Sequence, residues 1–169
     1  SGVGELTLID QDAYGESNIN RQLGALTSTL GRSKAEVLAE RVKEINPNCL
    51  VHPIVGRYTR EDREGFFGLY DYIADAIDLV ACKVDLICQA QERGIPILSA
   101  LGTGNKLDPS RLQVTDLSKT QGCPLARVMR RELGRLGIRH LKVVYSPEEV
   151  APCAQLGAPP PGRRSVPAS

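Results

Sequence analysis

Short β-prone runs alternate along this chain with amphipathic stretches of helical period, and this alternation restricts the fold more than any single motif. Parallel strands need a crossover of about a dozen residues or more, usually a helix, whereas antiparallel hairpins need only a turn. The sequence therefore predicts an α/β fold, a doubly wound and mostly parallel sheet with helices on both faces. In such sheets ligands gather at the carboxyl ends of strands, so the residues leaving each strand are the first to inspect.

"ELTLI", residues 5–9, is the first strand. Ser33 is placed to cap a helix over residues 33–46, where Ala35, Leu38, Val42 and Ile45 recur at helical spacing and Asn46-Pro47 stops the run. A weaker strand at 49–55 is demoted to an edge by Pro53, and a short helix is expected over 59–68. "YIADA", 72–76, reads as a buried strand. Asp78 then opens a helix through Arg93, with Val80, Val84, Ile87 and Gln91 in register and Gly94 as its stop. Strands follow at 95–101 and 112–115, separated by the turn Gly102-Thr103-Gly104-Asn105. Pro124 opens a helix to about Leu136, and "LKVVY" is the last strand. One domain is expected over 1–146, with a Pro/Gly-rich disordered tail over 147–169.

Composition narrows the function. The net charge of +1 is too small to suggest a nucleic-acid binder on average, so any such binding must come from a local patch. Five cysteines with no C-x-x-C pair, and two histidines far apart, leave no zinc site of ordinary ligand spacing and indicate a reduced, cytoplasmic protein. No apolar run is long enough to span a membrane. The chain begins "SGVG" without Met and runs at once into a strand, so it reads as a sequence entered midway.

"DQDAYGESNINRQ", residues 10–22, is longer and more charged than a connection requires. Asp10, leaving the first strand, offers two acceptor oxygens that match a ribose diol. Arg21 as a fork and Lys34 as a point charge suit phosphate oxygens, and Asp78 suits a hard ion such as Mg²⁺. Each has a plainer alternative: Asp10 as a turn residue, Arg21 and Lys34 as solvated charges, Asp78 as a helix cap, and the Gly-x-Gly at 102–104 as a turn. No G-x-x-x-x-G-K-[ST] and no complete G-x-G-x-x-G is present, so the residues alone carry the reading to an α/β nucleotide binder.

The runs "LTLIDQDAYGESNINRQ", "LGRSKAEV" and "INP", followed by "YDYIADAID", resemble the E1-like adenylating superfamily of ThiF type, with D-x-D, S-N-x-x-R-Q and G-x-x-K in order. "GTGNKLDPSRLQVTDLSKTQGCPLARVMRRELGRLGI", followed by "VVYSPEE", resembles its branch of tRNA threonylcarbamoyladenosine dehydratases; the resemblance covers residues 2–149. It implies a Rossmann-like sheet whose first strand and helix, with the glycine-rich phosphate loop, lie ahead of the point where this chain begins. The fragment by itself is therefore expected to bind ATP poorly.

By position, Asp10 would bind the ribose, Asn18 and Arg21 would line the triphosphate, and Lys34 would grip its oxygens. Asp12 and Gln22 would belong to the same ATP site, and Asp78 would hold Mg²⁺, with Arg21, Lys34 and Asp78 as the catalytic set. Leu79 stands where relatives often have Asn. The implied reaction is attack by a carboxylate of the modified adenosine on the α-phosphate of ATP, then ring closure with loss of AMP. A homodimer is implied as well.

Arg127, Arg131 and Arg135 recur every fourth residue, with Arg130, Arg139 and Lys142 nearby, and form either a solvated helix face or a tRNA-phosphate contact. Cys123 is a candidate thiol, although closure within the substrate needs no enzyme nucleophile. Two other readings stand beside this one. The first is adenylation of the C-terminus of a sulfur-carrier or ubiquitin-like protein. The second is a non-catalytic module, such as the partner of a cysteine desulfurase.

Overall fold

The computed structural model describes residues 2–104 and 106–149, and its backbone clusters into two compact units, Ser1–Phe66 and Phe67–Ser169. Of the disordered tail expected over 147–169, residues 150–169 lie outside the described residues, as does Asn105 of the expected turn; within 147–149 the expectation fails, because the Glu148 carboxylate accepts from the Leu107 and Asp108 amides.

The first unit is one β-α-β crossover. Strand β1 (Glu5–Ile9) pairs in parallel with β2 (Leu50–Ile54), from Glu5 opposite Leu50 to Ile9 opposite Ile54, and α1 (Lys34–Ile45) lies between them in sequence. Pro53 is accommodated because β2 has only one partner in this two-stranded sheet. Helix α1 starts where its cap was read, since Ser33 Oγ accepts from the Glu36 amide at 3.4 Å.

Its burial differs from the expected stripe. Ala35 and Ala39 are buried on one side, whereas Val37, on the opposite side, is buried with Tyr14 and Ala25. Ile45 is 71% exposed, because a two-stranded sheet is too narrow to cover the last turn.

The loop from Asp10 to Ser33 closes on itself. Ala13 and Ser33 form an antiparallel bridge, the Tyr14 amide donates to the Arg32 carbonyl at 2.9 Å, and the Gly31 amide donates to the Tyr14 carbonyl at 2.8 Å. Gly31 makes that return at φ +80°, a conformation costly for side-chain-bearing residues. The helix expected over 59–68 is instead a single 3₁₀ turn, Arg63–Gly65. Thr59 Oγ1 accepts from the Asp62 amide at 3.2 Å, and Gly65 and Gly68 disfavour propagation.

The second unit carries β3 (Ile73–Asp75), α2 (Val80–Glu92), β4 (Ile97–Ala100), β5 (Gln113–Asp116), α3 (Pro124–Arg135) and β6 (Lys142–Tyr145). The sheet order is β3-β4-β6-β5; the first two pairings are parallel, and β5 runs antiparallel to β6. Ile87 and Ala90 of α2, Ala126, Met129 and Leu133 of α3, and Ile97, Val143 and Tyr145 of the strands form one apolar cluster. Asp78 is not the cap of α2. The helix begins at Val80, and Leu79 occupies the cap position without a side-chain hydrogen bond. Gly94, at φ +69°, ends it as read, with the Ile95 amide donating back to the Ala90 carbonyl at 2.8 Å. Among the described residues, no helix is long and apolar enough to cross a membrane.

Candidate nucleotide-binding site

At the carboxyl end of β1 the chain turns on its own acids. Asp10 Oδ1 accepts from the Asp12 amide at 2.8 Å, which sets the two carboxylates on successive sides of the turn. Asp12 Oδ2 accepts from Lys34 Nζ at 3.1 Å, and the Lys34 amide donates to the Asp12 carbonyl at 2.9 Å. Lys34 is thereby fixed twice at the first turn of α1. Its side chain is only 12% exposed, against 57% for Asp12, so the cation lies largely shielded behind an accessible counterion.

Beneath this turn Tyr14 is 4% exposed, and burial pushes its hydroxyl above the ordinary value; the Lys34 cation opposes this and the Asp10 carboxylate adds to it. Tyr14 therefore stays neutral and acts as the floor of the loop.

Asn18 and Arg21 lie on the following turns. Asn18 Oδ1 accepts from the Gly15 amide at 3.0 Å, shaping the 3₁₀ turn Glu16–Asn18. Arg21 is exposed, with Nη1 donating to the Ser17 carbonyl at 2.7 Å and to Asn20 Oδ1 at 2.9 Å. Gln22 is half-buried, and its amide returns to the Asn18 carbonyl at 2.9 Å. The structure thus gathers Asp10, Asp12 and Lys34 by direct contact, and carries Asn18, Arg21 and Gln22 on a loop tied down at its base.

In the second unit Asp78 is exposed at the carboxyl end of β3, two residues ahead of α2. Close by is a cluster that sequence reasoning passed over. Asp75 and Lys83 are wholly buried and paired, Oδ2 to Nζ, at 2.8 Å, and Ser99 Oγ donates to the same carboxylate oxygen at 2.6 Å. The signal was available as two matched misfits: an aspartate inside an apolar strand, and a lysine one turn before Ile87 on the apolar face of α2.

On α3, Arg127, Arg131 and Arg135 are exposed along one face, opposite Ala126, Met129 and Leu133. Arg131 and Arg135 both hold Glu132, at 2.7 and 3.0 Å; hydrogen bonding from Arg131 first, and the charge of both guanidiniums, keep its carboxyl below the ordinary value. Arg130 turns inward instead, donating to the Thr120 carbonyl at 2.9 Å and to the Leu117 carbonyl at 3.4 Å. Cys123 caps α3 from within the core, 4% exposed, its Sγ 3.9 Å from the Gly102 carbonyl. Glu148, just past β6, accepts from the amides of Leu107 and Asp108 at 2.9 and 3.1 Å, and Lys106 Nζ donates to the Ser146 carbonyl.

The chain is 42% identical over 151 residues to a tRNA threonylcarbamoyladenosine dehydratase of Bacillus subtilis, matching 88% of this chain and 59% of that protein. It also resembles solved structures of the Escherichia coli tRNA N6-threonylcarbamoyladenosine dehydratase, TcdA. The AMP complex has a TM-score of 0.84 at 37% identity, covering 92% of this chain and 67% of the other. The ATP complex has a TM-score of 0.80 at 38% identity, covering 88% and 65%. The chain spans about half the length of the curated relatives it matches. The ThiF family model matches residues 1–144, including β1, the D-x-D turn, Lys34 and Asp78, and the chain belongs to the ThiF family.

Proposed function

We propose that this chain carries much of the ATP site of a tRNA threonylcarbamoyladenosine dehydratase, an enzyme that closes a ring on the modified adenosine at the expense of ATP. The observation that supports the site most strongly is the Lys34–Asp12 contact. It holds a shielded cation against the exposed Asp12 carboxylate, next to the half-buried Asp10 carboxylate, at a strand's carboxyl end, where nucleotides bind in such sheets. The reaction assigned to it rests on what the relatives are named for.

Asp10, with one oxygen already engaged by the Asp12 amide, uses its carboxylate to accept from the ribose hydroxyls. An arriving triphosphate competes with Asp12 for Lys34, so the lysine passes from one anion to another without crossing a desolvated state. Arg21 supplies a guanidinium fork from the loop, and Asn18 an amide donor. A carboxylate of the threonylcarbamoyl group attacks the α-phosphate, the bond to the bridging oxygen breaks, and pyrophosphate leaves. A nucleophile of the same group then attacks the activated carbonyl and AMP leaves with the carboxylate oxygen, so one water is lost overall. Charge neutralisation and alignment by Lys34 and Arg21 account for most of the acceleration.

The donor chemistry around β3 fits a hard divalent ion. Asp75 is paired with Lys83 and Ser99, and the exposed carboxylate of Asp78 is an oxygen ligand of the kind Mg²⁺ prefers. Bound there, Mg²⁺ would neutralise phosphate charge. The exposed Arg127, Arg131 and Arg135 face is assigned to tRNA phosphates, and a homodimer belongs to the same reading through the resemblance. Cys123, buried in the core, has no step in this scheme.

The test is exchange of labelled pyrophosphate into ATP by the protein of the complete reading frame. Exchange that requires tRNA bearing threonylcarbamoyladenosine supports the reading. Exchange that requires instead a sulfur-carrier protein, or none with either, overturns it.

A further inference from the structure

The Asp75–Lys83 pair is a costly feature for so small a sheet. Both side chains are fully buried, and burying two charges seldom adds more stability than a well-packed apolar pair of the same volume. What the pair supplies is direction. Asp75 Oδ1 accepts from the Ile77 amide at 2.9 Å, and Lys83 Nζ donates to the Ile77 carbonyl at 2.9 Å.

Those two groups belong to consecutive peptide planes, the second of which leads directly into Asp78. The anchors come from three elements: Asp75 ends β3, Ser99 is its register partner on β4, and Lys83 lies on the first turn of α2. The exit from β3 is therefore fixed from the sheet and from the helix at once. Asp78 is the residue it delivers.

We propose that Asp75, Lys83 and Ser99 are positioning residues that hold the 77–78 backbone so that the Asp78 carboxylate meets its metal in one orientation. This rests on the reading of Asp78 as a Mg²⁺ ligand. The pair acts through the backbone and touches no substrate. Its loss should loosen metal binding and slow turnover while leaving tRNA recognition intact.

The experiment uses the protein of the complete reading frame with ATP, and Mn²⁺ as a paramagnetic probe titrated by electron spin resonance. Turnover and amide exchange at Ile77 and Asp78 are measured alongside. The double variant Asp75→Asn/Lys83→Met removes both charges while preserving shape. It should raise the Mn²⁺ midpoint and lower kcat by about tenfold or more, the scale seen when a ligand's outer support is removed, with KM for tRNA within about twofold. Exchange at Asp78 should quicken. A folded double variant whose Mn²⁺ midpoint and kcat stay within about twofold of the parent overturns the proposal.

Should that variant fail to fold, Ser99→Ala carries the test. It keeps the ion pair and removes one anchor, and an unmoved midpoint with unmoved exchange overturns the proposal equally. Asp78→Asn separates the two readings. If it leaves Mn²⁺ binding unchanged, the metal reading itself fails; if it weakens binding while the double variant does not, only the positioning role fails.

Discussion

Lys34 Nζ stands 3.1 Å from Asp12 Oδ2, a contact that joins the start of α1 to a turn 22 residues earlier. Because the lysine is largely shielded, its charge is poorly quenched by water and is available to a second anion that reaches Asp12's side of the turn. In the protein of the complete reading frame, replacing Lys34 with Ala should weaken ATP binding by about 2 kcal/mol, roughly thirtyfold in Kd, which calorimetric titration would measure. Helix content should not change, since Ser33 still caps α1 and Ala is a good helix former. An affinity within about twofold of the parent would remove Lys34 from the site.

The arginine face of α3 makes a prediction of unusual sign. Glu132 occupies two of its three cations, so Glu132→Gln should strengthen tRNA binding and steepen its salt dependence. Changing Arg127, Arg131 and Arg135 together to Ala should reduce the slope of log affinity against log salt by about 2 to 3. Anisotropy titrations at several potassium chloride concentrations would read both effects.

Glu148 ties residues 107 and 108 to the segment after β6. Hydrogen bonds from the Leu107 amide first, then the Asp108 amide, hold its carboxyl below the ordinary value of 4.5. A carboxyl lowered by folding stabilises the native state fully above its unfolded value, and that contribution is lost as pH falls through the folded value. Glu148→Gln should therefore flatten the dependence of melting temperature on pH below about pH 5, without reversing it. Asp108, lowered chiefly by the Ser110 hydroxyl and amide, keeps its own acid dependence of the same sign. Melting curves across that range, parent against variant, would show the difference.

Gly122 sits at φ +69°, and a Cβ there would lie 2.8 Å from the Pro147 carbonyl oxygen. Gly122→Ala should cost roughly 2 to 4 kcal/mol, combining left-handed strain with a collision against backbone that cannot swing away. Gly137 has φ +80° with nothing within 4 Å of a Cβ, so Gly137→Ala should cost only the strain, roughly 1 to 2 kcal/mol. Denaturant unfolding of the two variants checks the order.

The elements that were legible in the sequence are those with local punctuation. Ser33 and Pro124 mark where α1 and α3 begin, Gly94 marks where α2 ends, and Glu5–Ile9 is a strand by composition alone. The direction of β5 was not legible, because four residues pair equally well either way until β6 is in place. The second buried side of α1 was hidden for the same reason: Val37 looks exposed by helical period until Tyr14 folds over it.

In the candidate site, D-x-D and Lys34 were legible as a motif, but their contact spans 22 residues and follows only from the closure of the loop. Arg130 reads as one more cation of the basic stretch, yet the carbonyls of Leu117 and Thr120 draw it inward. Asp75 and Lys83 stood apart only as misfits, and each becomes intelligible when the other is adjacent.

Removal of water from threonylcarbamoyladenosine in tRNA is the function proposed for the enzyme to which this chain would belong. The most direct measurement is mass spectrometry of nucleosides digested from such tRNA after incubation with Mg-ATP and the protein of the complete reading frame, with Asp78→Ala as control. The account predicts that the modified nucleoside loses the mass of one water, and that the control leaves it unchanged. A nucleoside of unaltered mass, with ATP consumed only when a sulfur-carrier protein is supplied, would contradict it.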